Sequence, residues 1–116
     1  MREVFGGVRI VALPVRSVAK ARRFYVERLG FKLIREETAQ FAMVNLGSVR
    51  LCLDAERELS KRGTIRLLFQ TRSITKTAKE LDERGVAYEQ VTGPRSGDYL
   101  EVGDPDGNVL VFSERL

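Results

Sequence analysis

Three oxygen-bearing side chains, Asp104, Asp106 and Asn108, alternate in the run DPDGNVLVF near the end of the chain. Alternating oxygen ligands are how a calcium loop wraps its ion. The rest of that grammar fails here. A calcium loop of this kind needs glycine at its sixth position and glutamate at its twelfth, whereas Gly107 is fourth and Arg115 is twelfth. The same residues make a good turn: Pro105 suits the second position of a type I turn, and Gly107 and Asn108 tolerate positive φ. DPDGN is therefore predicted to reverse the chain ahead of a strand, NVLVFS.

Two other residues carry reactive groups worth weighing. Cys52 is the single cysteine and the chain has no histidine, so Cys52 has no imidazole to act as its base. It reads as a small packed apolar group, and it cannot form an internal disulfide. Arg66 sits in the apolar run TIRLLFQT, where a guanidinium on a concave face would clamp a carboxylate or phosphate. The alternative for Arg66 is a structural ion pair with Asp54, Asp98 or Glu101. Neither G-x-G-x-x-G nor a Walker loop occurs, and no cofactor is expected.

The elements that position these residues follow from periodicity. VRIVALPV reads as a buried strand. Ser17 then caps a helix whose Val18, Ala21, Tyr25 and Leu29 share one face, with Phe24 beside them and Gly30 as its stop. FKLIREE, QFAMVNL and SVRLCLD follow as strands, the last two joined at Gly47. The pattern then restarts: TIRLLFQT is a strand, and Ser73 caps a helix with Ile74, Ala78 and Leu81 as its stripe and Gly85 as its end. VAYEQV, SGDYLEV and NVLVFS are three more strands, so the order β-α-β-β-β occurs twice. Arg16, Ser17, Lys20, Glu27 and Arg28 recur 56 positions later as Arg72, Ser73, Lys76, Glu83 and Arg84, which marks a duplication.

At 116 residues, 43% hydrophobic and 31% charged, the chain has the composition of one globular domain, residues 1–116, with modules at about 5–56 and 62–116. The first residues lack a continuous apolar core with a cleavage site, and no run of about 18 apolar residues occurs. A cytoplasmic protein without membrane contact is expected. The net charge of +4 is spread among acidic residues along the chain, with no RNA-recognition, helix-turn-helix or zinc-finger signature. That argues against nucleic acid as partner, and a basic interaction module is kept as an alternative.

The run ALPVRSVAKARRFYVERLGFKLI, with Phe24-Tyr25 ahead of Leu29-Gly30-Phe31, and the closing DPDGNVLVF resemble the vicinal oxygen chelate superfamily. That superfamily includes glyoxalase I, extradiol dioxygenases, fosfomycin-resistance enzymes and bleomycin-resistance proteins. The resemblance implies an α+β fold of two tandem βαβββ modules, with curved mixed sheets around a cleft and helices outside. It also implies a homodimer. The superfamily's enzymes hold a metal at four strand positions, which fall here on Ile10, Cys52, Arg66 and Val111. Isoleucine and valine offer no donor and arginine adds a repelling charge, so no metal is expected.

Strand alternation then gives the cleft face. Ile10, Ala12 and Pro14 share it, as do Arg66, Leu68 and Gln70; Arg50, Cys52 and Asp54; and Val109, Val111 and Ser113. Val11, Leu13, Leu51, Leu67, Phe69, Leu110 and Phe112 fall on the core face. SGDYLEV has two possible registers, leaving Asp98 and Glu101 unplaced. A mostly apolar face with a few polar groups suits an organic small molecule. The expected function is metal-independent small-molecule binding of a sequestering, resistance-like kind, through Arg66, Arg50, Cys52, Ile10, Ala12, Leu68, Gln70 and Val111. A basic face is poorly matched to cationic bleomycin-type drugs, so the ligand is expected to be anionic or neutral. An enzyme is the alternative, with a metal on Gln40, Gln70 or Glu101 or acid–base chemistry from Glu101 or Asp98.

Overall fold

The computed structural model describes residues 8–37, 40–55, 65–93 and 97–115. The chain divides into two compact units, Met1–Arg62 and Gly63–Leu116, each a βαβββ module. In module one, β1 (Ile10–Pro14) leads into a helix, α1 (Val18–Arg22), which continues as a π-helical stretch, Arg23–Arg28. The strands β2 (Lys32–Glu37), β3 (Phe41–Asn45) and β4 (Arg50–Asp54) follow. Module two repeats the order with β5 (Arg66–Gln70), α2 (Ile74–Glu83), β6 (Glu89–Gly93), β7 (Gly97–Gly103) and β8 (Val109–Ser113).

Each module forms one four-stranded mixed sheet, ordered β1-β4-β3-β2 and β5-β8-β7-β6. The first strand pairs in parallel with the last, Ile10 opposite Arg50 and Arg66 opposite Val109, and the remaining pairs are antiparallel. This is the predicted α+β fold of tandem βαβββ modules.

Both helices begin and end as the sequence dictates. The Ser17 and Ser73 hydroxyls accept the backbone N–H of Lys20 (3.2 Å) and Lys76 (3.1 Å), satisfying donors that the first turn leaves unpaired. Gly85, at φ +67°, closes α2 by donating to Asp82 while the Val86 N–H reaches the Leu81 carbonyl, a Schellman ending. The first helix differs from a regular one. The Leu29 N–H donates to the Phe24 carbonyl five residues back, which widens its last turns. In that stretch Tyr25 is fully buried, with Phe24 edge-on to it at 5.1 Å between ring centroids.

One face of each sheet packs on its own helix, α1 against β3 and β4, α2 against β7 and β8. Leu13, Leu51, Leu53 and Val44 are fully buried with Tyr25 and Ala21 in module one. Leu100, Val102 and Leu110 are buried in module two, where the helix contributes Leu81. One strand begins later than predicted: β6 starts at Glu89, not Val86, because Val86 is tied into the helix ending. Among the described residues, no helix is long and apolar enough to cross a membrane.

Candidate functional site

The DPDGN run is a turn, and its carboxylate is occupied in making it. Asp104 Oδ1 accepts the backbone N–H groups of Asp106 and Asn108, both at 2.8 Å, and its Oδ2 accepts from Asn108 Nδ2 at 3.0 Å. Asn108, fully buried, then turns its own Oδ1 to the Ile65 N–H at the entrance to β5. Gly107 stands at φ +86° with its N–H on the Asp104 carbonyl, which closes the predicted turn. These oxygens hold β8 and β5 together.

The other face of each sheet carries the candidate residues, and the pairing places them in rows. In module one, Ile10, Arg50, Asn45 and Lys32 form one row and Ala12, Cys52, Met43 and Arg35 the next. Pro14, Asp54, Phe41 and Glu37 make the third. Arg35 stands 5.4 Å above the Phe41 ring, a cation–π contact. A register shift between Leu33 and Arg35 inserts Ile34 into β2 as an extra residue.

In module two the corresponding rows run Arg66, Val109 and Gly103; Leu68, Val111, Glu101 and Glu89; and Gln70, Ser113, Tyr99 and Val91. The β7 pairing settles the register left open by the sequence. Glu101 lies opposite Val111 on this face, whereas Asp98 lies on the other and accepts from Thr92 and Gln90. Arg66 takes its ion-pair alternative: Nη2 meets Glu101 Oε2 at 3.0 Å, diagonally across β8. Val111 has the predicted parity but is only 5% exposed, and Ser113 beside it is buried as well. Ile10 at the start of β1 and Leu68 in the middle of β5 are exposed apolar side chains at 49% and 57%.

Each module also has an open-sided cavity at the end of its last hairpin. The one in module one, about 620 Å³, is lined by Arg9, Lys32, Asn45, Ser48 and Arg50 over Ile10, Leu33 and Ile34. In module two a cavity of about 380 Å³ is lined by Tyr88, Glu89, Glu101 and Gly103, with Val109. The Tyr88 phenol is held above its ordinary 10.0 by loss of hydration, by its hydrogen bond to Asp82 at 3.2 Å and by that carboxylate's charge. Sequence reasoning missed Arg9, Lys32 and Asn45, although alternation in QFAMVNL already put Asn45 on the face of Met43.

Residues 7–112 match the family model of the Glyoxalase/Bleomycin resistance protein/Dioxygenase superfamily. The chain belongs to that superfamily. An uncharacterized protein of Mycolicibacterium smegmatis is 30% identical over 112 residues, covering 94% of both chains. Among solved structures, TnmS3, an antibiotic binding protein from Streptomyces sp. CB03234, matches with a TM-score of 0.79 at 29% identity. The match covers 94% of this chain and 95% of that one. A glyoxalase/bleomycin resistance protein from the same organism matches at 0.71 and 28% identity, over 92% and 99% of the two chains. Lactoylglutathione lyase from Agrobacterium tumefaciens, at 0.76 and 15% identity over 94% and 93%, shares the fold.

The donor set does not fit the metal that the superfamily's enzymes carry. Ile10 and Cys52 lie diagonally on adjacent parallel strands in module one, and Arg66 and Val111 do the same in module two. Of the four, the sulfur of Cys52 is the single donor a divalent cation accepts, and Arg66 is a cation already bound to Glu101. Among the described residues, no three His, Cys, Asp or Glu side chains gather closely enough to hold a metal ion. Gln70 and Glu101 occupy neighbouring rows of module two, and Gln40 precedes β3 in module one.

Proposed function

We propose that this chain is a metal-independent small-molecule-binding protein of the superfamily, sequestering an organic ligand in a resistance-like manner. The donor set Ile10, Cys52, Arg66 and Val111 carries this reading, because side chains that cannot coordinate a cation leave the open sheet faces to bind by contact and hydrogen bonding. The likeness to a protein described as antibiotic binding supports it. Ile10, Ala12 and Leu68 supply apolar area, Cys52 and Val111 flank it, and Gln70, Arg50 and Arg66 supply the polar contacts. The ligand is neutral or anionic, given the exposed Arg35 and Arg50 on the module-one face. The exposed Ile10 and Leu68 also support a homodimer, in which a second copy would shield them. The two modules act as one domain in the cytoplasm, where Cys52 stays a thiol.

The test is thermal melting of untagged protein purified without chelators, first with zinc, nickel, manganese and iron(II), then with a panel of small-molecule antibiotics. The account expects no metal effect and a saturable rise with at least one compound, worth about 2.7 kcal/mol at a hundredfold excess over its Kd. A saturable rise with a metal, joined to turnover that chelation abolishes, would overturn it.

A further inference from the structure

The two cavities occupy the same place in the repeated module. Asn45 and Arg50 are cross-strand partners at the end of one sheet, Gly103 and Val109 are the matching partners in the other, and each pair lines its module's cavity. Their chemistry is opposite. Among the described residues, module one places Arg9, Lys32 and Arg50 around its cavity without an acid, and module two places Glu89 and Glu101 there without a base.

Among the described residues the three cations of module one have no ion-pair or hydrogen-bond partner for their side chains, the ion pairs engaging other arginines. Gathering like charges on one concave surface raises its potential and costs self-repulsion that a bound anion relieves. The remaining polar groups add donors. Asn45 spends its Oδ1 on the Gly47 N–H at 2.8 Å, so its amide hydrogens are what it has left to offer, and Ser48 adds a hydroxyl. The floor is apolar, with Ile10 and the bulged Ile34 exposed at 49% and 38%.

We propose that this cavity is an anion subsite, taking the carboxylate or phosphate of an organic acid whose apolar body lies along Ile10 and Ile34. The proposal rests on the small-molecule reading above, and it moves the anion contact from Arg66, which Glu101 neutralises, to Arg9, Lys32 and Arg50.

Isothermal titration with naphthoate and with its neutral analogue naphthamide tests it, with naphthyl phosphate alongside to rank the two anionic groups. Naphthoate is expected to bind at least about tenfold more tightly than the amide, and to weaken as salt is added. Arg50→Gln and Lys32→Gln should each erase most of that preference, while Glu89→Gln in the cavity of module two leaves it intact. Both substituted side chains are exposed, and Lys32→Gln carries the test if Arg50→Gln folds poorly. Equal binding of acid and amide, an acid preference that survives both substitutions, or no binding of either anion at millimolar concentration would overturn the subsite. The failure of the small-molecule reading looks different: a stoichiometric metal and chelator-sensitive turnover, with the naphthoate preference still dependent on Arg50.

Discussion

Module one and module two share their strand order, pairing scheme, serine-capped helices and the parity of their first and last strands, yet almost nothing on their open faces matches. Ile10 answers to Arg66, Cys52 to Val111 and Arg50 to Val109. One cavity gathers cations and the other carboxylates. The core constrains a duplicated frame because a one-residue slip would turn its leucines to water, whereas the open face bears no such cost and is free to diverge.

The largest break in the comparison comes from the helices. The first helix buries Val18, Ala21 and Tyr25 completely or nearly so, and α2 buries only Leu81. Tyr25→Ala should cost about 4 kcal/mol and Leu81→Ala about 2 to 3 kcal/mol in denaturant unfolding, so the first module is the more sensitive to losing its helix packing. Equal losses would remove that asymmetry.

Next is Asp104→Ala, which strands the N–H groups of Asp106 and Asn108 at a buried turn that module one does not have. A loss of about 2 to 3 kcal/mol is expected, unaffected by added calcium. Calcium-dependent stability in the unsubstituted protein would mean that these oxygens bind an ion as well as the backbone.

Smaller still is Glu101→Gln. The Arg66–Glu101 pair is half exposed on the arginine side, and pairs of that kind contribute roughly 0 to 1 kcal/mol. Melting should barely move, while Arg66 is released to bind anions and module two gains affinity for naphthoate. Unchanged naphthoate binding would show that a free Arg66 alone does not make an anion site.

The smallest effect is confined to Tyr88. Its phenol is raised in the folded protein, so its contribution is complete below the unfolded value and is lost as pH climbs through the higher folded one. Ultraviolet titration should show Tyr88 ionising later in native protein than in urea, and Asp82→Asn should bring the two closer.

The fold was legible because helix caps, the Gly30 and Gly85 stops and strand alternation are local signals that agree with one another. The 56-residue recurrence of Arg16-Ser17 at Arg72-Ser73 fixed the duplication. The open-face parity of β1, β4, β5 and β8 was legible for the same reason. The cationic cavity was not. It depends on β2, where the extra Ile34 breaks alternation, and on Arg9, which lies just ahead of β1 and is not bound by its parity. The partner of Arg66 was likewise hidden, because its choice among Asp54, Asp98 and Glu101 turns on a β7 register that only the pairing with β8 defines.

Native mass spectrometry of the untagged protein, dialysed against zinc and then against metal-free volatile buffer, shows whether the chain retains a metal. The account predicts the mass of the bare polypeptide, as chain or dimer, because Ile10, Cys52, Arg66 and Val111 give a cation nowhere to stay. One zinc retained per chain would contradict it and return the protein to the enzymes of its superfamily.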